Sequence, residues 1–145
     1  MDKDCKIYCA LLMALRSLYI ISCCMGAISL KQVQEELDAV IGESLPTLSH
    51  SSQLPYVNAC LLEVMRIRTL VPLGVPHATT QEVKVQGYDI PKGTQILTNL
   101  YSLHMDPAYW PDPDRFDPER FLDAEGNVIN NSESFMPFSG GNYQD

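Results

Sequence analysis

The sequence predicts a mainly α-helical chain carrying small β-sheet elements. Two observations predict the helices: apolar residues recur at helical spacing through Leu30, Val33, Leu37, Val40 and Ile41, and again through Val57, Leu61, Val64 and Met65. A third predicts the sheet elements. Val83-Lys84-Val85-Gln86 alternates apolar and polar side chains, Gly87 supplies a turn, and Tyr88-Asp89-Ile90 resumes the alternation. With 145 residues, 46% of them apolar, the chain is long enough to bury a core.

Two regions differ in character: 1–29 is an apolar N-terminal segment, and 30–145 is patterned like a folded domain. Within residues 5 to 30 only Arg16 and Ser17 interrupt the apolar run centrally, and the run is long enough to span a bilayer. An arginine near its centre costs about 2.5–3.5 kcal/mol on insertion scales. The flanking Asp2, Lys3, Asp4 and Lys6 cancel in charge, so the segment reads either as a membrane anchor or as a buried helix. Four of the five cysteines, Cys5, Cys9, Cys23 and Cys24, fall here and Cys60 stands alone. The odd count and irregular spacing point to reduced thiols. A zinc set drawn from the four is weaker than simple apolar packing, because vicinal cysteines chelate one ion poorly.

Ser29, with Gln32 three residues on, forms a capping-box pattern that opens the first periodic helix, and Gly42 closes it. Pro55 suits the first turn of a second helix running to Arg68. That helix carries Glu63 and Arg66 as neighbours, by themselves an ion pair worth about 0.2–0.5 kcal/mol. Val71-Pro72-Leu73-Gly74-Val75-Pro76-His77 cannot be helical with prolines so close. After the hairpin, Pro91-Lys92-Gly93 turns the chain into Thr94–Leu100, a strand or a helix entry, and Tyr101–Met105 makes one or two helical turns. From Asp106 to Phe121, Pro107, Pro111, Pro113 and Pro118 impose ordered coil, followed by a turn at Asp123-Ala124-Glu125-Gly126-Asn127. Asn130-Asn131-Ser132 matches a glycosylation sequon but reads as a polar turn. A net charge of -8 argues against a phosphate-binding surface and hence against a nucleic-acid partner.

The order of short motifs says more than any one of them. Glu63-Val64-Met65-Arg66 is followed by Pro72…Pro76-His77 and by Gly87-Tyr88-Asp89-Ile90-Pro91-Lys92-Gly93-Thr94. Asn99-Leu100…His104-Met105-Asp106-Pro107, Pro118-Glu119-Arg120-Phe121 and Phe135-Met136-Pro137-Phe138-Ser139 come next. This series resembles the microsomal cytochromes P-450, in particular their drug- and fatty-acid-oxidising second family, over residues 30 to 141. The resemblance implies a partial P-450 fold, its C-terminal portion. Glu63, Arg66 and Arg120 match a buried structural ion network, in which one carboxylate shared by two guanidiniums leaves no charge unpaired. Val71, Leu73 and Val75 match a substrate-facing strand over the haem, and His77 matches a donor to a haem propionate.

The haem loop departs from the family pattern Phe-x-x-Gly-x-Arg-x-Cys-x-Gly. Phe138 and Gly141 fit, but Tyr143 stands at the arginine position and Asp145 at the axial cysteine. The family's chemistry needs a thiolate, whose electron donation drives O–O cleavage, and a carboxylate donates weakly. The expectation is therefore a truncated P-450 product that binds no haem itself and has no catalytic residues. Its parent would be a haem-thiolate monooxygenase of the endoplasmic reticulum membrane. That parent would insert one oxygen atom from O2 into an apolar small molecule, with electrons from NADPH-cytochrome reductase. The alternative is a non-catalytic membrane-anchored or interaction protein derived from that family. Without the family's preceding helices and haem, the apolar faces of 31–141 are expected to remain partly uncovered.

Overall fold

A computed structural model of the chain describes residues 27–129 and 134–138. Residues 1–26 with their four cysteines, the sequon at 130–132, and 139–145 with Tyr143 and Asp145 lie outside the described residues. Helix α1 covers Ala27–Val40. Ser29 therefore sits inside the described helix and not in front of it, so the Ser29/Gln32 pattern is not its cap. Ala27 and Ile28 tolerate helical geometry, and a capping signature is a local pattern that helix propensity overrides. Gly42 does end the helix, with a φ of 56° and its N–H donating to Leu37 O at 3.3 Å.

After a 3-10 turn at Leu48–Gln53, helix α2 spans Pro55–Arg68. Pro55 occupies the first turn, where its missing N–H is no loss. The next two N–H groups, of Tyr56 and Val57, donate to the Glu36 carboxylate of α1 at 3.0 and 2.8 Å. One acidic side chain thus caps α2 across the helix pair and meets the positive end of its dipole. At the other end Thr69 adopts a left-handed φ of 31°, donates its N–H to Met65 O, and donates its hydroxyl to Arg66 O at 2.8 Å.

The predicted hairpin forms: β2 (Val83–Val85) pairs antiparallel with β3 (Tyr88–Ile90), Lys84 opposite Asp89. Gln86 and Gly87 both have positive φ, as a two-residue hairpin turn requires. A separate two-stranded sheet joins β1 (His77–Ala78) to β4 (Gln95–Ile96). The substrate-facing strand expected at Val71–Pro76 is not a strand. Residues 70–76 form bends and a turn, with regular pairing beginning at His77. Pro72 and Pro76 have no N–H to give a ladder, and Gly74 takes a φ of 64°.

Helix α3 (Leu100–His104) is capped by Asn99, whose Oδ1 accepts from Ser102 N at 3.0 Å. The Pro/Asp-rich coil after it wraps α2 and tightens into a 3-10 helix at Pro118–Phe121. Asp123 folds the following turn by accepting from the N–H groups of Glu125 and Asn127. The core lies between α2 and this coil. Cys60 and Val64 pack with Val33, Tyr56 and Phe116, while Ala59 packs with Trp110, Phe121 and Phe135. Among the described residues, no helix is long and apolar enough to cross a membrane.

Candidate functional site

The buried face of α2 is not a purely apolar stripe. Glu63 and Arg66 are both wholly buried on it, alongside Ala59, Cys60 and Val64. Three residues apart, they meet over one helical turn as a bidentate pair: Arg66 Nε donates to Glu63 Oε2 at 2.7 Å and Nη2 to Oε1 at 2.9 Å. The rest of the guanidinium reaches the coil. Nη2 also donates to Pro113 O at 2.7 Å, and Nη1 donates to His104 O at 2.8 Å and faces Met105 Sδ at 3.8 Å. All five N–H groups of an arginine are thereby directed at acceptors. The Trp110 ring lies against the guanidinium, its centroid 5.2 Å from Cζ.

Arg120, from the 3-10 helix Pro118–Phe121, joins this pair at longer range. Its Nε stands 3.7 Å from Glu63 Oε1, an ion pair but not a hydrogen bond. The carboxylate is therefore not gripped bidentately by both guanidiniums. Oε1 instead accepts the Asp117 N–H at 3.0 Å, and Arg120 Nη2 donates to Asp112 O at 3.1 Å. Two guanidiniums against one carboxylate leave an excess positive charge. The carbonyl oxygens of His104, Asp112 and Pro113 face it, so the charge excess itself fixes the path of the coil.

His104 extends the network, and sequence reasoning gave it no role. It is fully buried, with Nδ1 3.0 Å from Thr69 Oγ1 and Nε2 accepting the Met136 N–H at 3.0 Å. Burial, with the Arg66 charge adding, holds its pKa below the usual histidine value. The signal available in the sequence was its place in the Leu100…Met105-Asp106-Pro107 motif, which says nothing of its partners.

The remaining predicted residues lie apart from this cluster. His77 is exposed on β1, Leu73 and Val75 are exposed in the bend region, and Val71 is half-buried. An open cleft lined by Leu103, Tyr109, Ser134 and Met136 contains none of them.

The cytochrome P450 family model matches residues 29–144. The chain belongs to the cytochrome P450 family. Similar proteins include cytochrome P450 2U1 of Rattus norvegicus, 46% identical over 112 residues that make up 77% of this chain and 21% of the relative. Cytochrome P450 2U1 of Homo sapiens is 47% identical over 112 residues, 77% of this chain and 20% of its own length. Cytochrome P450 2D15 of Canis lupus familiaris is 48% identical over 112 residues, 77% of this chain and 22% of its own. The chain thus spans about a fifth of the length of the curated relatives it matches.

Haem is the cofactor of cytochrome P450 monooxygenases, and the donor chemistry on the described residues does not fit an axial thiolate. Cys60 is buried against Val64, Val33, Tyr56 and Phe116. Desolvation, reinforced by the charges of Glu36 and Glu63, pushes its thiol up to about 12, so it stays protonated. Among the described residues no group of three or more His, Cys, Asp or Glu side chains is placed to hold a metal ion.

Proposed function

We propose that this chain carries the scaffold that, in a whole cytochrome P450 monooxygenase, presents the haem-binding loop, and that it does not itself perform the oxygenation. The observation that carries this reading is Asp145 at the position of the axial cysteine, with Tyr143 at the arginine position. A hard carboxylate cannot supply the electron donation that a thiolate gives to O–O cleavage. In this reading Glu63, Arg66 and Arg120 are structural, His77 faces a haem propionate, and Val71, Leu73 and Val75 face substrate. Residues 1–29 form a segment distinct from 30–145. The whole enzyme works at the endoplasmic reticulum membrane, takes electrons from NADPH-cytochrome reductase, and inserts one oxygen atom into an apolar molecule.

The distribution of apolar side chains supports a partial fold. Among the described residues fifteen large apolar side chains are exposed, against eight apolar side chains buried. The same surfaces favour the second reading, a non-catalytic interaction or membrane-anchored protein, although a net charge of -8 opposes docking on an acidic reductase. Carbonate washing separates a membrane-anchored chain from a soluble fragment, since only an anchored chain stays with the membrane. For the principal reading the test is spectroscopic. Purified chain mixed with haem, reduced and exposed to carbon monoxide is expected to give no thiolate-type Soret band, and a clear band of that type would overturn the proposal.

A further inference from the structure

We infer that His104 is a positioning residue, held as a single neutral tautomer, that sets where the segment Ser134–Phe138 leaves the core. The inference does not depend on whether the chain binds haem. A backbone N–H can only donate, so the 3.0 Å contact from Met136 N makes Nε2 an acceptor. The ring proton is then on Nδ1 and points at Thr69 Oγ1, 3.0 Å away. The Thr69 hydroxyl proton goes in turn to Arg66 O at 2.8 Å. One assignment satisfies all three contacts, and the opposite tautomer or an imidazolium sets Nε2–H against the Met136 N–H.

The ring end of this chain of hydrogen bonds is buried, and Met136 is half-buried beside the open cleft. His104 is 0% exposed, Thr69 2%, Ser134 2% and Phe135 8%. The Phe135 ring lies 5.6 Å from the imidazole, so the two residues Phe135 and Met136 engage one face and one edge of the same ring. Segment 134–138 contributes no helix or strand, and the bond from Met136 N ties its backbone to the imidazole. At its own backbone His104 offers the carbonyl that takes Arg66 Nη1. A single residue thereby joins the end of α2, the guanidinium and the approach to the altered loop. A merely space-filling histidine would show no preference for one ring nitrogen.

The test uses the full 15N-labelled chain. Long-range 1H–15N correlation is expected to show His104 as the Nδ1–H tautomer at neutral pH. Two variants then separate the ring nitrogens. His104→Gln places a carbonyl oxygen near the Nε2 position and is expected to keep the Met136 amide slow to exchange. His104→Asn can reach only the Thr69 side and is expected to speed Met136 exchange about tenfold or more, leaving the Asp117 amide on Glu63 unchanged. An Nε2–H tautomer, an imidazolium, or equal Met136 exchange in both variants would overturn the inference. If neither variant folds, the tautomer of the unaltered chain still decides.

Discussion

Replacing Arg66 by lysine keeps the positive charge and removes the planar fork, which isolates what the fork contributes. A lysine ammonium carries three donors on one atom and can follow Glu63, but it cannot also reach His104 O and Pro113 O from the opposite edges of a plane. Each carbonyl left buried without a donor costs about 1 kcal/mol or more. Losing one of the two charged bonds to Glu63 adds about 1.5 kcal/mol or more. The sum for Arg66→Lys is about 3–5 kcal/mol, similar to the cost of stranding one member of a buried ion pair. Arg66→Met, which leaves the Glu63 carboxylate with the Asp117 N–H and, among the described residues, the more distant Arg120 as its one cation nearby, is expected in the same range.

Denaturant titration of the full chain, followed by the fluorescence of Trp110, measures this. Trp110 is the chain's one tryptophan and lies against the guanidinium, so its signal reports the site directly. The pair Glu63→Met with Arg66→Met should cost less than the two single changes added together, because it removes both charges at once. Arg66→Lys within about 1 kcal/mol of the unaltered chain would refute the reasoning. It would mean that charge alone, and not the five-donor geometry, holds the coil to α2.

Glu36→Ala removes the acceptor of two N–H groups at the start of α2 and is expected to cost about 1–2 kcal/mol. Glu36→Gln, which keeps an acceptor without the charge, should recover part of it, and faster exchange of the Tyr56 and Val57 amides would locate the loss. His104 makes stability depend on pH with a definite sign. Its folded pKa lies below the unfolded value of about 6.5, so the unfolded chain binds the extra proton first. Its contribution is complete above about pH 6.5 and declines below it, by up to about 1.4 kcal/mol per pH unit, until the folded histidine also protonates. The difference in stability between the unaltered chain and His104→Gln should narrow as pH falls below that point. A difference constant with pH would show that the imidazole does not titrate with unfolding.

Local pattern made some of this molecule readable and left the rest hidden for identifiable reasons. The 3.6-residue periodicity and Pro55 located α2, and Gly87 located the hairpin, because each acts through the backbone nearest to it. The cap of α1 was misread because Ser29-x-x-Gln32 fits a capping box wherever it occurs, and only the path of the chain through Ala27 shows that the helix is already under way. Val71–Pro76 was misread for a different reason: the strand was carried over from the family resemblance, and the prolines of this segment withhold the donors that strand pairing needs. The ion network was legible only as three residues of a family motif. Its partners are backbone groups, the carbonyls of His104, Asp112 and Pro113 and the N–H of Asp117, and every sequence contains those at every position.

That backbone dependence explains why the coil after α3 can be rich in proline and still be ordered. Proline has no N–H to satisfy, yet it keeps a carbonyl, and residues 106–121 need acceptors aimed at two guanidiniums more than they need donors. Pro113 supplies one such acceptor directly, and Pro118 opens the short 3-10 helix that carries Arg120 toward Glu63. The coil is therefore tied to α2 by Arg66 and Glu63, and it is shaped by its own turns, in which Tyr109 and Trp110 donate to Asp106 O and Arg115 to Asp112 O. Trp110 and Phe121, which pack on each other at 5.7 Å, seal the arrangement from solvent, and Phe135 closes the same aromatic cluster from the segment that His104 holds. Substituting Arg66 should accordingly loosen residues 106–121 and 134–138 together, whereas a change confined to the exposed hairpin at β2 and β3 should leave both in place.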